Sequence, residues 1–217
     1  MLKPKFVEPK GRRLRILCLG AHADDIEIGC GGTIMRMITE NEQPEVYWMV
    51  FSAPGERRRE TLMSARTMLD ALPNKTIVTK NFRDGFFPFK GDVIKDEFET
   101  LSRTFSPDII FTHYREDRHQ DHRLISDLTW NTFRDHLILE YEIPKYDGDL
   151  GSPNFFVDLD ESTCRRKFKY ILENFASQKA KSWFTEETFM SLAWIRGVES
   201  RSTGKYAEAF FCRKIAF

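Results

Sequence analysis

A short, mostly apolar run, Leu14-Arg15-Ile16-Leu17-Cys18-Leu19-Gly20, passes without a spacer into Ala21-His22-Ala23-Asp24-Asp25-Ile26-Glu27. An apolar run of this length without polar alternation is the pattern of a strand covered on both faces, as in a parallel sheet. Open α/β sheets collect their functional groups just beyond the carboxyl ends of such strands. One histidine and two adjacent carboxylates therefore stand where such a sheet carries its site. Three potential ligands in four residues (His22, Asp24, Asp25) are costly to bring together unless a cation offsets them.

Strand and helix patterns alternate along the rest of the chain. Gly31-Gly32-Thr33 reads as the opening of a helix with Ile34, Met37 and Ile38 at helical spacing. A strand over 46–51 ends at the loop Ser52–Gly55, and a helix follows over about 56–71. A short strand at 76–78 precedes an aromatic loop at 81–88 and a helix over about 92–105. The strand 108–112, a polar loop and a helix over about 122–137 come next. The stretch 140–160 is rich in Pro, Gly and Asp and reads as a long specificity loop or a short β excursion. Helices over about 161–177 and 186–200 and a last strand within 206–215 complete the pattern. This order predicts an α/β fold: a single-domain, Rossmann-like, doubly wound, mostly parallel sheet flanked by helices, spanning 1–217 with a polar leader at 1–12.

The 33 basic and 33 acidic residues leave no net charge, and so no footprint for nucleic acid or an anionic membrane. No stretch approaches the roughly 18 apolar residues of a membrane span, and the amino terminus lacks the apolar core of a signal peptide. Cys18, Cys30, Cys164 and Cys212 are scattered, with Cys18 and Cys212 in apolar runs that suggest burial. Reduced thiols in a cytoplasmic protein are the default expectation. A homo-oligomer is left open.

A second cluster, His113-Tyr114-Arg115-Glu116-Asp117-Arg118-His119-Gln120-Asp121-His122, follows the strand 108–112 as the first follows the strand 14–20. In a parallel sheet both emerge at the same edge. Imidazole and carboxylate without thiolate suit zinc, and the same ligands can hold Fe2+ or Co2+. A divalent ion activates water and polarises a carbonyl, a carboxylate can take the proton, and a histidine can hold the oxyanion. Structural alternatives exist for each part: Asp24 and Asp25 could cap a helix, and the glycines could form an anion-binding turn.

The pair HADDIEIGCGGT and DRHQDH resembles the two signatures of the PIG-L/LmbE superfamily of zinc-dependent N-acetylglucosaminyl deacetylases. Gly55-Glu56-Arg57-x-x-Glu60, Ser177-Gln178 and Tyr206-Ala207-Glu208-Ala209-Phe210 extend the resemblance. Ala23 replaces a proline common in the family and removes no ligand. The resemblance implies that His22, Asp25 and His122 ligate zinc (Zn2+), that Asp24 is the general base, and that His119 stabilises the oxyanion. It implies that Arg57 contacts the sugar, with Arg58 and Arg59 as alternatives, and that Asp121 orients a ligand histidine. Glu27, Asp117 and His113 have either a supporting or a merely structural role.

The activity so implied is removal of the N-acetyl group from an N-acetyl amino sugar, a small-molecule substrate in a glycoconjugate or activated form. Two alternatives are an amidase for a larger acyl group or thiol conjugate, and a non-catalytic sugar- or nucleotide-binding protein. Aromatics at 82–89 and in 141–156 are candidates to grip a sugar or simply to cover the core.

Overall fold

The computed structural model describes residues 12–216, so the leader read at 1–12 lies outside the described residues except for Arg12. The elements run β1 (Arg15–His22), α1 (Asp25–Glu40), β2 (Glu45–Ser52), α2 (Glu56–Met68), β3 (Lys75–Thr79), α3 (Gly91–Thr104) and β4 (Ile109–His113). They continue with α4 (Gln120–Thr132), β5 (Leu137–Tyr141), β6 (Phe155–Leu159), α5 (Glu161–Asn174), α6 (Glu186–Ser200) and β7 (Tyr206–Cys212). Short 3-10 turns occupy Phe87–Lys90 and Ala176–Gln178.

The strands form one sheet in the order β3-β2-β1-β4-β5-β7-β6. β1 to β5 are mutually parallel, as expected, and β7 runs antiparallel to both β5 and β6. Between Arg15 and His22, β1 is apolar and buried because helices cover both faces of the sheet. Ile16 and Cys18 pack with Ile26, Met68 and Phe168 of α1, α2 and α5. Leu17 and Leu19 pack on the opposite face with Phe98, Leu101 and Ile125 of α3 and α4. The chain leaves β1 toward β2 on one side, whereas β4 pairs on the other, so the strand order reverses between β1 and β4. Such a switch point opens a crevice at the carboxyl ends of the strands.

Three sequence expectations need correction. α1 starts at Asp25, not at Gly31, and the glycines lie inside the helix rather than in a turn. Their role is close packing: a Cβ on Gly29 would stand 2.2 Å from the Tyr141 ring, and one on Gly32 would stand 2.6 Å from Leu159. α4 stops at Thr132, and Leu137 begins β5. Phe133 and Leu137 share helical spacing, which hid the boundary. In the stretch 140–160, the alternative of a short β excursion holds: it contains the end of β5 and all of β6. Cys212 is half-buried, while the other three free cysteines are buried.

Candidate active site

His22 is the last residue of β1, and Asp24 and Asp25 stand at the start of α1. His119, Asp121 and His122 form the entry to α4, beyond the end of β4. The switch point thus brings together residues about 100 positions apart in sequence.

His22 Nδ1 lies 3.1 Å from His122 Nε2. Asp25 Oδ2 completes a triangle, 3.5 Å from His22 Nδ1 and 3.6 Å from His122 Nε2. Two ligands bound at about 2.0–2.1 Å to a tetrahedral zinc stand about 3.4 Å apart, so the three atoms fit one such ion. The His22 backbone N–H donates to Asp25 Oδ2 at 2.6 Å, which fixes the carboxylate against the end of the strand.

His113 Nε2 also approaches Asp25 Oδ2, at 3.1 Å, but it already accepts the Ala21 N–H at 2.9 Å. His113 is fully buried and does not line the cavity, whereas His22, Asp25 and His122 do. An ion on those three would face the cavity, as a catalytic site requires.

The outer nitrogens of both histidines meet carboxylates. His22 Nε2 faces Asp121 Oδ2 at 3.3 Å and Asp84 Oδ1 at 3.0 Å. His122 Nδ1 pairs with Asp117 Oδ2 at 2.9 Å. Asp121 is itself held by the Gly85 and Phe87 backbone N–H groups at 2.6 and 3.1 Å. Such partners set ring orientation and tautomer.

Burial works against charge on His22, yet hydrogen bonds to Asp121, Asp25 and Asp84 hold its pKa well above the ordinary value. Burial and the adjacent His113 push His122 down to about 4, so it is a neutral imidazole at neutral pH. Burial also opposes the charge on Asp25, but His122 and His113 hold its carboxyl well below the usual range.

Asp24 precedes α1 without capping it; its side chain turns to Arg57 in the first turn of α2. An Arg57 guanidinium nitrogen lies 2.7 Å from Asp24 Oδ1. Burial raises the Asp24 carboxyl above its ordinary value, and Arg57 offsets part of the rise. Arg58 instead reaches Thr79, and Arg59 pairs loosely with Glu56 in solvent. His119 Nδ1 accepts the Asp121 backbone N–H at 3.3 Å, which leaves a ring proton on Nε2. Burial and the charge on His22 lower its pKa.

These groups open into a cavity of about 470 Å³, within the range of small-ligand sites. Ser52 and Gln178 line it, and their buried Oγ and Oε1 atoms have no hydrogen-bond partner among the described residues. Tyr146, Lys181 and Trp183 line it as well.

The sequence matches the PIG-L family, described as GlcNAc-PI de-N-acetylase, over residues 17–133, more than half of the chain. The chain belongs to the PIG-L family. The "Uncharacterized deacetylase YaiS" of Escherichia coli (strain K12) is 26% identical over 155 residues, 66% of this chain and 82% of that protein. The N,N'-diacetylchitobiose deacetylase of Pyrococcus horikoshii is 22% identical with a TM-score of 0.66, covering 90% of this chain and 82% of that one. GalB, the 4-carboxy-2-hydroxymuconate hydratase of Pseudomonas putida KT2440, is 16% identical with a TM-score of 0.73, covering 94% and 98%. The last two likenesses concern the fold, which evidently hosts more than one reaction. Family and curated relative together place the chain among deacetylases.

The seven residues to which the resemblance gives a first role in this PIG-L member (His22, Asp24, Asp25, Arg57, His119, Asp121 and His122) gather at or directly behind the cavity, and the alternatives Arg58 and Arg59 do not line it. Sequence reasoning missed Asp84 and the wall formed by Gln178, Lys181 and Trp183. Ser177-Gln178 was visible as a motif only. Its place is explained by Glu60, which accepts the Ser177 N–H and hydroxyl at 2.9 and 2.7 Å and docks this turn onto α2. Among the aromatics expected to grip a ligand, Tyr146 lines the cavity, while Phe87 is buried in the core.

Proposed function

We propose that this chain is a metal-dependent hydrolase that removes the N-acetyl group from an amino sugar in a glycoconjugate or activated sugar, releasing acetate and a free amine. The triangle of His22, Asp25 and His122 beside the Arg57-paired Asp24 carries the proposal. Three protein ligands without thiolate suit zinc, and iron(II) or cobalt fit the same set. A divalent ion held there lowers the pKa of water and polarises an amide carbonyl.

Asp24 takes a proton from the attacking water as the water oxygen bonds to the carbonyl carbon. His119 directs its Nε2 proton into the cavity and stabilises the charge that develops on the carbonyl oxygen. Asp24 then returns the proton to the nitrogen as the C–N bond breaks. Asp121 behind His22 and Asp117 behind His122 keep the ligand rings in register.

A polyhydroxylated ligand suits the wall of this cavity. Arg57, Asp84 and Lys181 set charged groups in the wall that can pair with a ligand's hydroxyls. Arg57, Tyr146 and Trp183 supply the donor and the rings that carbohydrate sites use. The deciding experiment combines metal analysis of the purified protein with acetate release from a panel of N-acetyl and bulky N-acyl amino sugars. Metal-dependent release from N-acetyl members supports the proposal; turnover of the bulky members alone makes the chain an amidase of another class. Absence of both turnover and bound metal leaves a binding protein.

A further inference from the structure

Beyond the groups already given roles, one largely buried ammonium stands in the cavity wall beside the His22, Asp25 and His122 triangle. The Lys145 side chain is 9% exposed, and its Nζ lies 3.0 Å from Asp117 Oδ2 and 2.5 Å from Asp149 Oδ2. Asp117 Oδ2 is the same oxygen that meets His122 Nδ1, and Asp149 Oδ2 also accepts the Arg118 backbone N–H at 2.7 Å. Both carboxylates bound by Lys145 therefore tie down the segment 117–119 that leads into α4. Asp117 Oδ1 adds the His119 backbone N–H at 2.8 Å.

Lys145 is itself held. It sits on the loop after β5, whose two ends are fastened to α6 by Arg196. The Arg196 guanidinium bonds Glu142 at 2.5 and 2.9 Å and the Gly151 carbonyl at 3.0 Å. A flexible lysine stem loses much rotamer freedom when fixed, so a lysine placed between two buried carboxylates must be compensated by those contacts.

We propose that Lys145 is a positioning residue for His122: with Asp149 it clamps the Asp117 carboxylate, which holds the His122 ring with Nε2 turned toward Asp25 and His22. Without the ammonium, Asp117 keeps the His119 N–H and His122 Nδ1 as partners but loses the charge that fixes Oδ2, and it holds the His122 ring less firmly. The role rests on His122 being a metal ligand, and it is measured by metal affinity rather than by turnover alone. Partners of this kind change metal affinity by about 10- to 100-fold.

The test titrates zinc into the metal-free parent, Lys145→Met and Lys145→Arg against a chromophoric chelator at fixed pH, with KM then measured at saturating zinc. Lys145→Met is expected to bind zinc about tenfold more weakly with KM changed less than about twofold, and Lys145→Arg to recover most of the loss. Parent-like zinc affinity in Lys145→Met overturns the role. So does a raised KM with unchanged affinity, which would make Lys145 a substrate contact. A parent protein that binds no divalent ion defeats the metal site itself, a separate failure. Should Lys145→Met not fold, Asp149→Asn carries the test: weakened zinc binding supports the clamp, and unchanged binding overturns it.

Discussion

Arg57 and Asp24 form an ion pair between the starts of two helices, 2.7 Å apart and with the Asp24 side chain 6% exposed. The pair couples the proposed base to the wall of the cavity. Burial drives the Asp24 carboxyl upward, and the Arg57 charge is the largest effect holding it down. Asp24 works only when deprotonated, so activity falls on the acid side of its pKa. Arg57→Ala raises that pKa further and should move the acid limb of the kcat/KM profile to higher pH, lowering activity at neutrality. Arg57→Lys keeps a charge and should move the limb less. A limb that stays in place in Arg57→Ala separates the arginine from the base.

Loss of the base and loss of a ligand should differ in kind. Asp24→Asn is expected to lower kcat by about 10²–10⁴-fold while the protein keeps its metal. His22→Ala removes one corner of the triangle and should lose stoichiometric metal together with activity. Metal analysis of the two variants beside steady-state kinetics distinguishes them. Full metal occupancy in His22→Ala would remove His22 from the ligand set.

Much of this site was legible because its residues sit in two short runs, each directly after an apolar strand. Strand ends in a parallel sheet share an edge, so His22 and His122 could be placed together from sequence pattern alone. Asp84, Lys145 and Gln178 could not, because each reaches the site from a loop whose path depends on tertiary contacts. Asp84 is brought in by backbone bonds from Gly85 and Phe87 to Asp121, and Gln178 by the docking of Ser177 on Glu60. The direction of β7 was equally hidden, since apolar content does not encode whether a strand runs parallel or antiparallel. The start of β5 was hidden for a different reason: Leu137 continues the helical spacing of Phe133, which only the sheet interrupts.

Glu27 predicts a pH dependence of stability. It is fully buried, burial pushes its carboxyl up to about 8, and Ser64 donates to one oxygen while the other has no partner among the described residues. Its folded-state pKa lies above the unfolded value of about 4.3, so the folded protein binds the extra proton. The stability this contributes is complete below the unfolded pKa and is lost as pH rises through about 8. Glu27→Gln mimics the protonated carboxyl and cannot ionise. Between pH 6 and 9 the holoprotein's Tm should fall more in the parent than in Glu27→Gln. Parallel curves for the two proteins would show that Glu27 does not carry the proton.

Gly29 tests the packing that places the whole amino-terminal half of the site. In an ordinary helix interior, glycine to alanine stabilises by about 1 kcal/mol. Here the added Cβ would stand 2.2 Å from the Tyr141 ring, a distance no side chain tolerates. Tyr141 cannot easily yield, because it is fully buried and its hydroxyl donates to the Leu19 carbonyl at 2.6 Å. Overpacking of this kind costs about 1–3 kcal/mol or more, so the clash outweighs the gain in helix propensity. Gly29→Ala should therefore lower Tm rather than raise it. Because α1 starts at Asp25 and follows directly on Asp24, the displacement should also weaken metal binding. A Gly29→Ala protein more stable than the parent would mean that α1 does not lie this close to β5.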